Sequence, residues 1–282
     1  MEKKGKTSNN FVIRTISSVA LFLILLATLI PGGIPLFIFV AFAGAVGMME
    51  FLRVAGTHKT PIAVVAYIAL AGVYALIYID QKELLVPLFM LYLLLLFSIM
   101  VFAYPKYSSK SIFMSFSGLI YVGLGLSFIY QTRAQLEDGK YIVWMIFTAW
   151  VSDMGAYCMG KLFGKRKAFP VLSPKKSIAG CIGGIIWAML AGIIYNLILH
   201  YTVNVNFLHL WQIALICGFA SILAQLGDLA ASAIKRDFDV KDYGKVVPGH
   251  GGILDRFDSI IFVAPLVYYL AKLFQVMGVT IK

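Results

Sequence analysis

Nine apolar segments, each of about 20 residues, follow one another along this chain. A helix of that length crosses a hydrocarbon core of about 30 Å, because each helical residue advances about 1.5 Å. The composition agrees, since 61% of the 282 residues are hydrophobic and only 13% are charged. We therefore predict an all-α polytopic membrane protein with about nine transmembrane helices. The spans are expected at residues 12–30, 34–52, 61–79, 84–103, 112–130, 140–160, 178–200, 208–234 and 257–277.

The distribution of the 24 lysine and arginine residues predicts how these helices are oriented. With a cytoplasmic amino terminus most of them fall in cytoplasmic loops, which is the bias that membrane proteins follow. The exceptions are Lys82, Arg133, Lys140, Lys272 and Lys282. The net charge of +11 thus mainly reflects topology, and it favours contact with anionic membrane lipid. Binding of nucleic acid is not expected, because no aromatic and basic module accompanies the charge.

The two parts of the chain differ in how much charge their loops carry. Residues 1–110 have short loops and few charges inside the spans, so we predict a scaffold of transmembrane helices there. Residues 111–282 contain the largest cytoplasmic loops, 161–177 and 235–256, and are predicted to be the catalytic region. Glu50 is the exception in the first part. Its spacing from Arg53 favours an interfacial ion pair over contact with a substrate path.

Residues 221–259 hold six of the 13 acidic residues of the chain. Charge near or inside a bilayer is costly, so a charged cluster flanked by membrane-length apolar segments is a candidate functional site. Carboxylates interleaved with lysine and arginine around glycine-rich turns suit a divalent metal and a phosphorylated substrate. The acids are Asp228, Asp237, Asp239, Asp242, Asp255 and Asp258, and the bases are Lys235, Arg236, Lys241, Lys245 and Arg256.

Several of these carboxylates have spacings that predict a metal site. Asp153 and Asp228 each lie about two helical turns before the first basic residue after their span, roughly 10–12 Å below the cytoplasmic surface. Asp255 and Asp258 share one helical face at the start of the last span. Asp228 with Asp255 would make a magnesium site, because magnesium takes only one or two protein carboxylates. The alternatives are salt bridges to Lys161 or Lys235, and helix capping by Asp255.

Two further stretches could bind phosphate. Gly249, His250, Gly251 and Gly252 form a turn whose backbone can approach a ligand closely, although a simple tight loop with a solvated histidine has the same sequence. In the second stretch, Ser173 is expected to cap a helix that begins at Pro174. Lysines in its first turn would favour a bound anion, or they would serve only as a topology signal. The residues in that turn are Lys175, Lys176 and Ser177.

Taken together, residues 150–260 resemble the phosphatidate cytidylyltransferases, also called CDP-diglyceride synthases. The downstream part of the resemblance comprises Ser232, Lys235, Arg236, Lys241, Asp242, Pro248, His250, Gly251, Gly252, Asp255, Arg256 and Asp258. The upstream part comprises Asp153, Ala156, Tyr157, Gly160, Gly164, Lys165, Ser173, Pro174, Lys175, Lys176, Ser177, Gly180, Gln225, Gly227, Asp228 and Leu229. Residues 1–110 resemble the family only in being hydrophobic helices.

The resemblance implies an integral enzyme of the bacterial cell membrane, with its site facing the cytoplasm. Such an enzyme converts CTP and phosphatidic acid to CDP-diacylglycerol and pyrophosphate with magnesium, and a second cation is left open. Asp228 and Asp255 are then expected to hold the magnesium, with Asp258 as a third ligand or a neighbour of the ligands. Small-residue helix faces are compatible with a homodimer. The expected phosphate-neutralising residues are Lys175, Lys176, Lys235, Arg236 and Arg256.

Other functions fit the same chain less well. A related CTP-dependent transferase or kinase could act on an archaeal ether lipid or a polyprenol, and its products would distinguish it. An ion-coupled transporter could use Asp153 and Asp228 as a relay. Transporters commonly have broken helices at corresponding positions of two repeated halves. Here the charge is confined to one part of the chain.

Overall fold

A computed structural model describes residues 2–205 and 207–278, with side chains from Thr15 onward. The described chain is predominantly helical. Short 3₁₀ segments precede α4 and α8, and a π-helical stretch, Leu119–Leu124, joins α5 to α6. The helices are α1 (Glu2–Leu29), α2 (Gly33–Val54), α3 (Pro61–Tyr78), α4 (Leu85–Phe102), α5 (Ser109–Gly118), α6 (Gly125–Gln135), α7 (Gly139–Ile142), α8 (Thr148–Phe163), α9 (Ile178–Val203), α10 (Leu210–Asp237) and α11 (Leu254–Val276).

The predicted all-α membrane architecture is confirmed. Among the described residues, eight helical segments are long and apolar enough to cross a membrane. The first predicted span corresponds to α1, whose described apolar portion, Thr15–Leu29, is shorter. The eight segments are Gly33–Val54, Pro61–Tyr78, Lys82–Phe102, Ser109–Gln135, Gly139–Phe163, Ile178–Val203, Leu210–Asp237 and Leu254–Val276.

The described residues form two compact units whose borders fall inside helices. Unit 1 comprises the described residues up to Tyr130 together with Lys235–Phe257. Its core lies along α2 and α3, where the Tyr74 hydroxyl donates to the main-chain oxygen of Val40 at 3.3 Å. By contrast, α4 buries only Tyr92 and Leu96 among its side chains. A helix that is apolar all round and mostly exposed is expected to face lipid.

Unit 2 comprises Gln131–Ile234 and the described residues from Asp258 onward. Its helices α8 and α9 approach so closely that several glycines have no room for a Cβ. A Cβ on Gly155 would lie 2.5 Å from Trp187, and a Cβ on Gly184 would lie 2.9 Å from the main-chain oxygen of Ser152. Small residues permit such helix crossings in membranes. Buried hydroxyls add a polar contact to α10, because Ser152 and Ser221 are hydrogen-bonded at 2.6 Å.

The loop before α9 corrects one sequence prediction. Ser173 does not cap a helix, because Ser173–Ser177 is strand β2, paired antiparallel with β1 (Lys167–Phe169). The cap of α9 is Ser177, whose hydroxyl accepts from the Gly180 N–H at 3.1 Å. Lys175 and Lys176 therefore lie in a strand, and the argument from lysines beside a helix dipole no longer applies to them.

Candidate active site

Residues predicted for the site fall in both units. In unit 2 the centre is an ion pair between Lys176 of β2 and Asp228 of α10. The Lys176 Nζ lies 2.6 Å from Asp228 Oδ2, and it also donates to the main-chain oxygen of Gln225 at 3.4 Å. Asp153 of α8 lies within electrostatic range of both charged groups. Three residues from separate elements thus form one charged cluster, here called the Asp228 cluster.

The Asp228 cluster is accessible rather than sealed in the unit. The side chains of Lys176 and Asp228 are 20% and 36% exposed, and Asp153 is exposed. An ion pair between partly exposed groups contributes little to stability. The pair can instead open, so that Lys176 binds an anionic ligand and Asp228 binds a cation. The cluster therefore has the chemistry needed to hold a phosphate beside a divalent metal.

The backbone of α11 approaches α10 next to this cluster. A Cβ on Gly227 would lie 2.9 Å from the main-chain oxygen of Asp258, so glycine at this position lets the two helices meet. Asp258 is 8% exposed, and its Oδ1 accepts from the N–H of Ser259 at 2.8 Å. The predicted residues Asp228 and Asp258 therefore belong to neighbouring elements of unit 2.

Glycines at the end of α8 and in the first turn of α9 set the position of β2. A Cβ on Gly164 would collide with the main-chain oxygen of Gly160 and would lie 2.5 Å from the Ser177 hydroxyl oxygen. A Cβ on Gly180 would lie 2.7 Å from the main-chain oxygen of Ala156. This close contact fixes the end of β2, and with it Lys176, against α8. Several of the glycines in the predicted motif thus have a packing role.

In unit 1 the centre is Asp255, at the start of α11. Its Oδ1 lies 2.9 Å from Lys235 Nζ, and its Oδ2 accepts N–H groups of Tyr243 and Gly252 at 2.8 and 2.9 Å. The side chains of Asp255 and Lys235 are only 3% and 13% exposed. Both N–H donors precede α11, so these bonds fix the loop before the helix and are not the helix capping that was the alternative for Asp255. The salt bridge from Lys235 to Asp228 that was an alternative is wrong, because Lys235 pairs with Asp255.

Glu50 is the site residue that sequence reasoning misplaced. The predicted ion pair with Arg53 is wrong: Glu50 is 0% exposed, and its carboxylate accepts N–H groups at the start of α11. The Oε1 accepts from Ile253 at 3.1 Å, and the Oε2 accepts from Leu254 at 2.8 Å. A carboxylate at a helix amino terminus is favourable because it meets unsatisfied donors and the positive end of the dipole. The sequence did carry a signal for this role, because a carboxylate within an apolar span needs a specific partner.

The glycine-rich turn has the backbone geometry that its sequence predicts. Gly249 and Gly251 have φ angles of 75° and 86°, which favour glycine. Val247 and Gly251 form an antiparallel bridge, with the N–H of Val247 donating to the Gly251 oxygen at 2.8 Å. From α1, the Ser17 hydroxyl donates to the Pro248 oxygen at 2.8 Å. The hydroxyl oxygen of Ser18 is hydrogen-bonded to His250 Nε2 at 3.2 Å. The turn is therefore held from both sides, and phosphate binding there stays a prediction.

Glycines also bring Glu50 and Asp255 close to the backbone of this region. A Cβ on Gly252 would collide with the Glu50 carboxylate, and so would a Cβ on Gly244. A Cβ on Gly251 would lie 3.0 Å from Asp255 Oδ2. Glycine is thus needed at these positions to leave room for the two carboxylates, independently of any contribution of the glycines to ligand binding.

The remaining predicted residues lie at the edges of these two centres. Arg256, in the first turn of α11, has a buried Nε with no hydrogen-bond partner among the described residues. A guanidinium N–H without a partner is suited to an anionic ligand. The others are exposed or half-buried: Ser173 and Lys175 in β2, Arg236 in the last turn of α10, and Lys241 and Asp242 between α10 and the turn.

The predicted metal ligands can be assessed by their donor chemistry. Among the described residues, no group of three or more His, Cys, Asp or Glu side chains is gathered as a ready metal site. Magnesium does not need one, because water and substrate phosphates complete its octahedron. Asp228 fits such a site, with Asp153 in range. Both oxygens of Asp255 already accept bonds from protein groups. The shared ion predicted for Asp228, Asp255 and Asp258 stays a prediction.

The fold and the two charged centres define a class: an integral membrane protein whose helices carry acidic and basic groups suited to phosphate and a cation. The chain belongs to the Cytidylyltransferase family, whose sequence model matches residues 12–274. This confirms the family that the motifs of residues 150–260 predicted.

Named relatives extend over nearly the whole chain. A phosphatidate cytidylyltransferase of Staphylococcus haemolyticus is 34% identical over 267 residues, covering 92% of this chain and 98% of the relative. Enzymes of the same name from Staphylococcus epidermidis and Staphylococcus aureus are also 34% identical, with the same coverage. The likeness therefore includes the amino-terminal helices, which the motifs alone had not covered.

Proposed function

We propose that this protein is a phosphatidate cytidylyltransferase, which transfers the cytidylyl group of CTP to phosphatidic acid and yields CDP-diacylglycerol and pyrophosphate. The observation that carries the proposal is the match to enzymes of that name, which covers 92% of this chain and 98% of the relatives. A chain that aligned only at its carboxyl-terminal motifs would support a nucleotide site without the lipid substrate. The proposal includes a location in the bacterial cell membrane with the site facing the cytoplasm, and a homodimer is compatible with it.

The chemistry requires little from the protein beyond positioning and charge. An oxygen of the lipid phosphate attacks the α-phosphorus of CTP, and the bond from that phosphorus to the oxygen leading to the β-phosphate breaks. The lipid phosphate is already anionic near neutral pH, so no side chain has to remove a proton first. The barrier lies in bringing anions together and stabilising the charge that develops on the leaving pyrophosphate.

Residues of the two centres fit these tasks. Lys176 is partly exposed, so its ammonium group can leave Asp228 and bind a phosphate oxygen instead. Arg256 has an unused N–H for a phosphate, and exposed Arg236 offers a bidentate fork. Lys235 is held by Asp255, so we assign it to positioning the start of α11 more than to direct contact. Magnesium, when bound at Asp228, supplies neutralising charge to the nucleotide phosphates.

Removal of divalent cations is expected to abolish turnover. Excess chelator should reduce CDP-lipid formation by at least about 10²-fold, the scale on which loss of one electrostatic stabiliser slows a transfer reaction. Added magnesium should restore the rate, and added sodium at equal ionic strength should not. The readout is radiolabelled CDP-lipid formed by protein in detergent. Undiminished turnover in excess chelator would remove magnesium from the proposal.

The activity itself is tested with purified protein, phosphatidic acid, CTP and magnesium. Equal amounts of pyrophosphate and CDP-lipid are expected, with ATP in place of CTP as the control nucleotide. Formation of CDP with a phosphorylated lipid would instead identify a kinase. Substrate-dependent ion flux in sealed vesicles without consumption of CTP would identify a transporter. Either result would overturn the proposed function.

A further inference from the structure

The hairpin formed by β1 and β2 has an apolar end that is exposed at its centre and partly covered on either side. Its turn, residues 169–172 (Phe-Pro-Val-Leu), is here called the hairpin tip. Val171 is 98% exposed and Phe169 is 37% exposed. Exposed apolar side chains in a row are unfavourable in water and are typical of a surface that meets an apolar phase. The tip therefore calls for a partner that is at least partly nonpolar.

The base of the same hairpin is strongly basic. Residues 161–177 contain six lysines and arginines and no aspartate or glutamate. Three of these, Lys165, Arg166 and Lys167, are exposed where the chain enters β1, and they are here called the basic trio. Within the described part of the chain, none of the three has a carboxylate at ion-pair distance. A surface with positive charge around an apolar tip is complementary to an anionic lipid bilayer.

The hairpin is also held close to a bilayer by its own chain. It connects α8, which ends at Phe163, to α9, which begins at Ile178, and both belong to segments long enough to cross a membrane. Consecutive spanning helices leave and re-enter the membrane on the same side. A hairpin this short cannot move away from that surface. The tip and the basic trio are thus always within reach of lipid headgroups.

We infer that this hairpin docks on the anionic surface of the membrane that the protein spans. The tip inserts between headgroups, and the basic trio binds their phosphates. The partner is anionic phospholipid as a class. A nucleotide would suit the trio but not the tip, whose side chains offer no hydrogen bond to a base or sugar. Docking would draw anionic lipid towards the strand that carries Lys176. The inference does not depend on which reaction the protein catalyses.

The position of the tip can be measured with a fluorescent dye. The full chain, with Cys158, Cys181 and Cys217 replaced by alanine, would carry Val171→Cys labelled with NBD and be reconstituted in vesicles. We expect a blue shift of emission and a loss of quenching by aqueous iodide when phosphatidylglycerol is added to phosphatidylcholine. Lys59→Cys, in the exposed α2–α3 loop, is the matched control and should remain open to iodide in both compositions.

The role of the charge is tested in the same labelled protein. Replacing the basic trio with glutamine (Lys165→Gln, Arg166→Gln, Lys167→Gln) should remove the response to phosphatidylglycerol, and so should high salt, because screening weakens contact with headgroups. The control is Lys59→Gln with Lys106→Gln, which should leave the response unchanged. Hydrogen exchange of residues 165–173 in the unmodified protein provides a readout that needs no cysteine replacement, and anionic lipid should slow it.

Three outcomes would overturn the inference. The first is a label at position 171 that stays as open to iodide as the control in every vesicle. The second is a blue shift that requires CTP, which would make the hairpin a nucleotide contact. The third is a shift that depends on the ratio of protein to lipid, which would indicate a second copy of the chain as the partner. None of these measurements uses turnover, so their failure would leave the proposed function untouched.

Discussion

The substitution Asp228→Asn is expected to abolish CDP-lipid formation while leaving the protein folded. The amide has the shape of the carboxylate but no negative charge, so the Asp228 cluster loses its ion pair with Lys176 and its best ligand for a divalent cation. We expect turnover to fall by at least about 10²-fold, as for removal of other electrostatic groups from a transfer site. The midpoint of thermal unfolding should change little, because a partly exposed ion pair contributes little to stability.

A matched control is available on the same helix. Asp237 is exposed at the end of α10, so Asp237→Asn removes one negative charge from a neighbouring surface without touching the Asp228 cluster. It should retain the rate of the unchanged protein. Initial rates at saturating CTP, with a melting curve for each variant in the same detergent, would separate lost chemistry from lost structure. Turnover by Asp228→Asn equal to that of the control would refute the role given to this carboxylate.

The substitution Glu50→Ala is expected to destabilise the protein and to reduce turnover as well. It leaves the N–H groups of Ile253 and Leu254 without their acceptor in a buried place, at about 1–3 kcal/mol for each orphaned donor. It also opens space under Gly244 and Gly252, both of which contact the Glu50 carboxylate. The start of α11 would loosen, and Asp255 would lose its fixed position. We expect a lower unfolding midpoint together with a lower kcat.

Two further variants make this prediction specific. Glu50→Gln keeps one carbonyl oxygen for an N–H group but turns an NH₂ towards the other, so its loss of stability should be smaller than that of alanine. Glu83→Ala removes an exposed glutamate from the start of the segment that contains α4 and should melt like the unchanged protein. Unfolding midpoints in detergent and CTP saturation curves give the readout. A Glu50→Ala protein with unchanged midpoint and rate would contradict the role assigned to Glu50.

The transmembrane architecture was predictable because span length depends on local composition alone. Every predicted span overlaps a helix, and the very short connection between α1 and α2 is present. The loop before α9 was not predictable in the same way. Both Ser173 and Ser177 suit a helix cap, and the choice of Ser177 depends on Gly160 and Gly164, whose packing against it is tertiary.

The residue types of the candidate site were predictable, but their partners were not. Aspartates and lysines of residues 153–258 do form charged centres, since charge in an apolar chain needs compensation. Which lysine serves which aspartate depends on the arrangement of strands and turns. The sequence offered Lys161 and Lys235 as partners for Asp153 and Asp228, whereas β2 delivers Lys176 to Asp228. Spacing in the sequence carries no information about such contacts.

The bond from Glu50 to the start of α11 joins residues 203 positions apart. During synthesis the Glu50 carboxylate, which lies in an apolar segment, therefore has no access to these N–H groups until residues 253 and 254 have been made. Contacts of such separation form late, because the intervening chain must first be ordered. An unfinished polypeptide then lacks an assembled turn around Asp255. The newly made protein thus secures the Glu50 carboxylate only once the start of α11 is in place, which makes the stability of α2 depend on a segment synthesised much later.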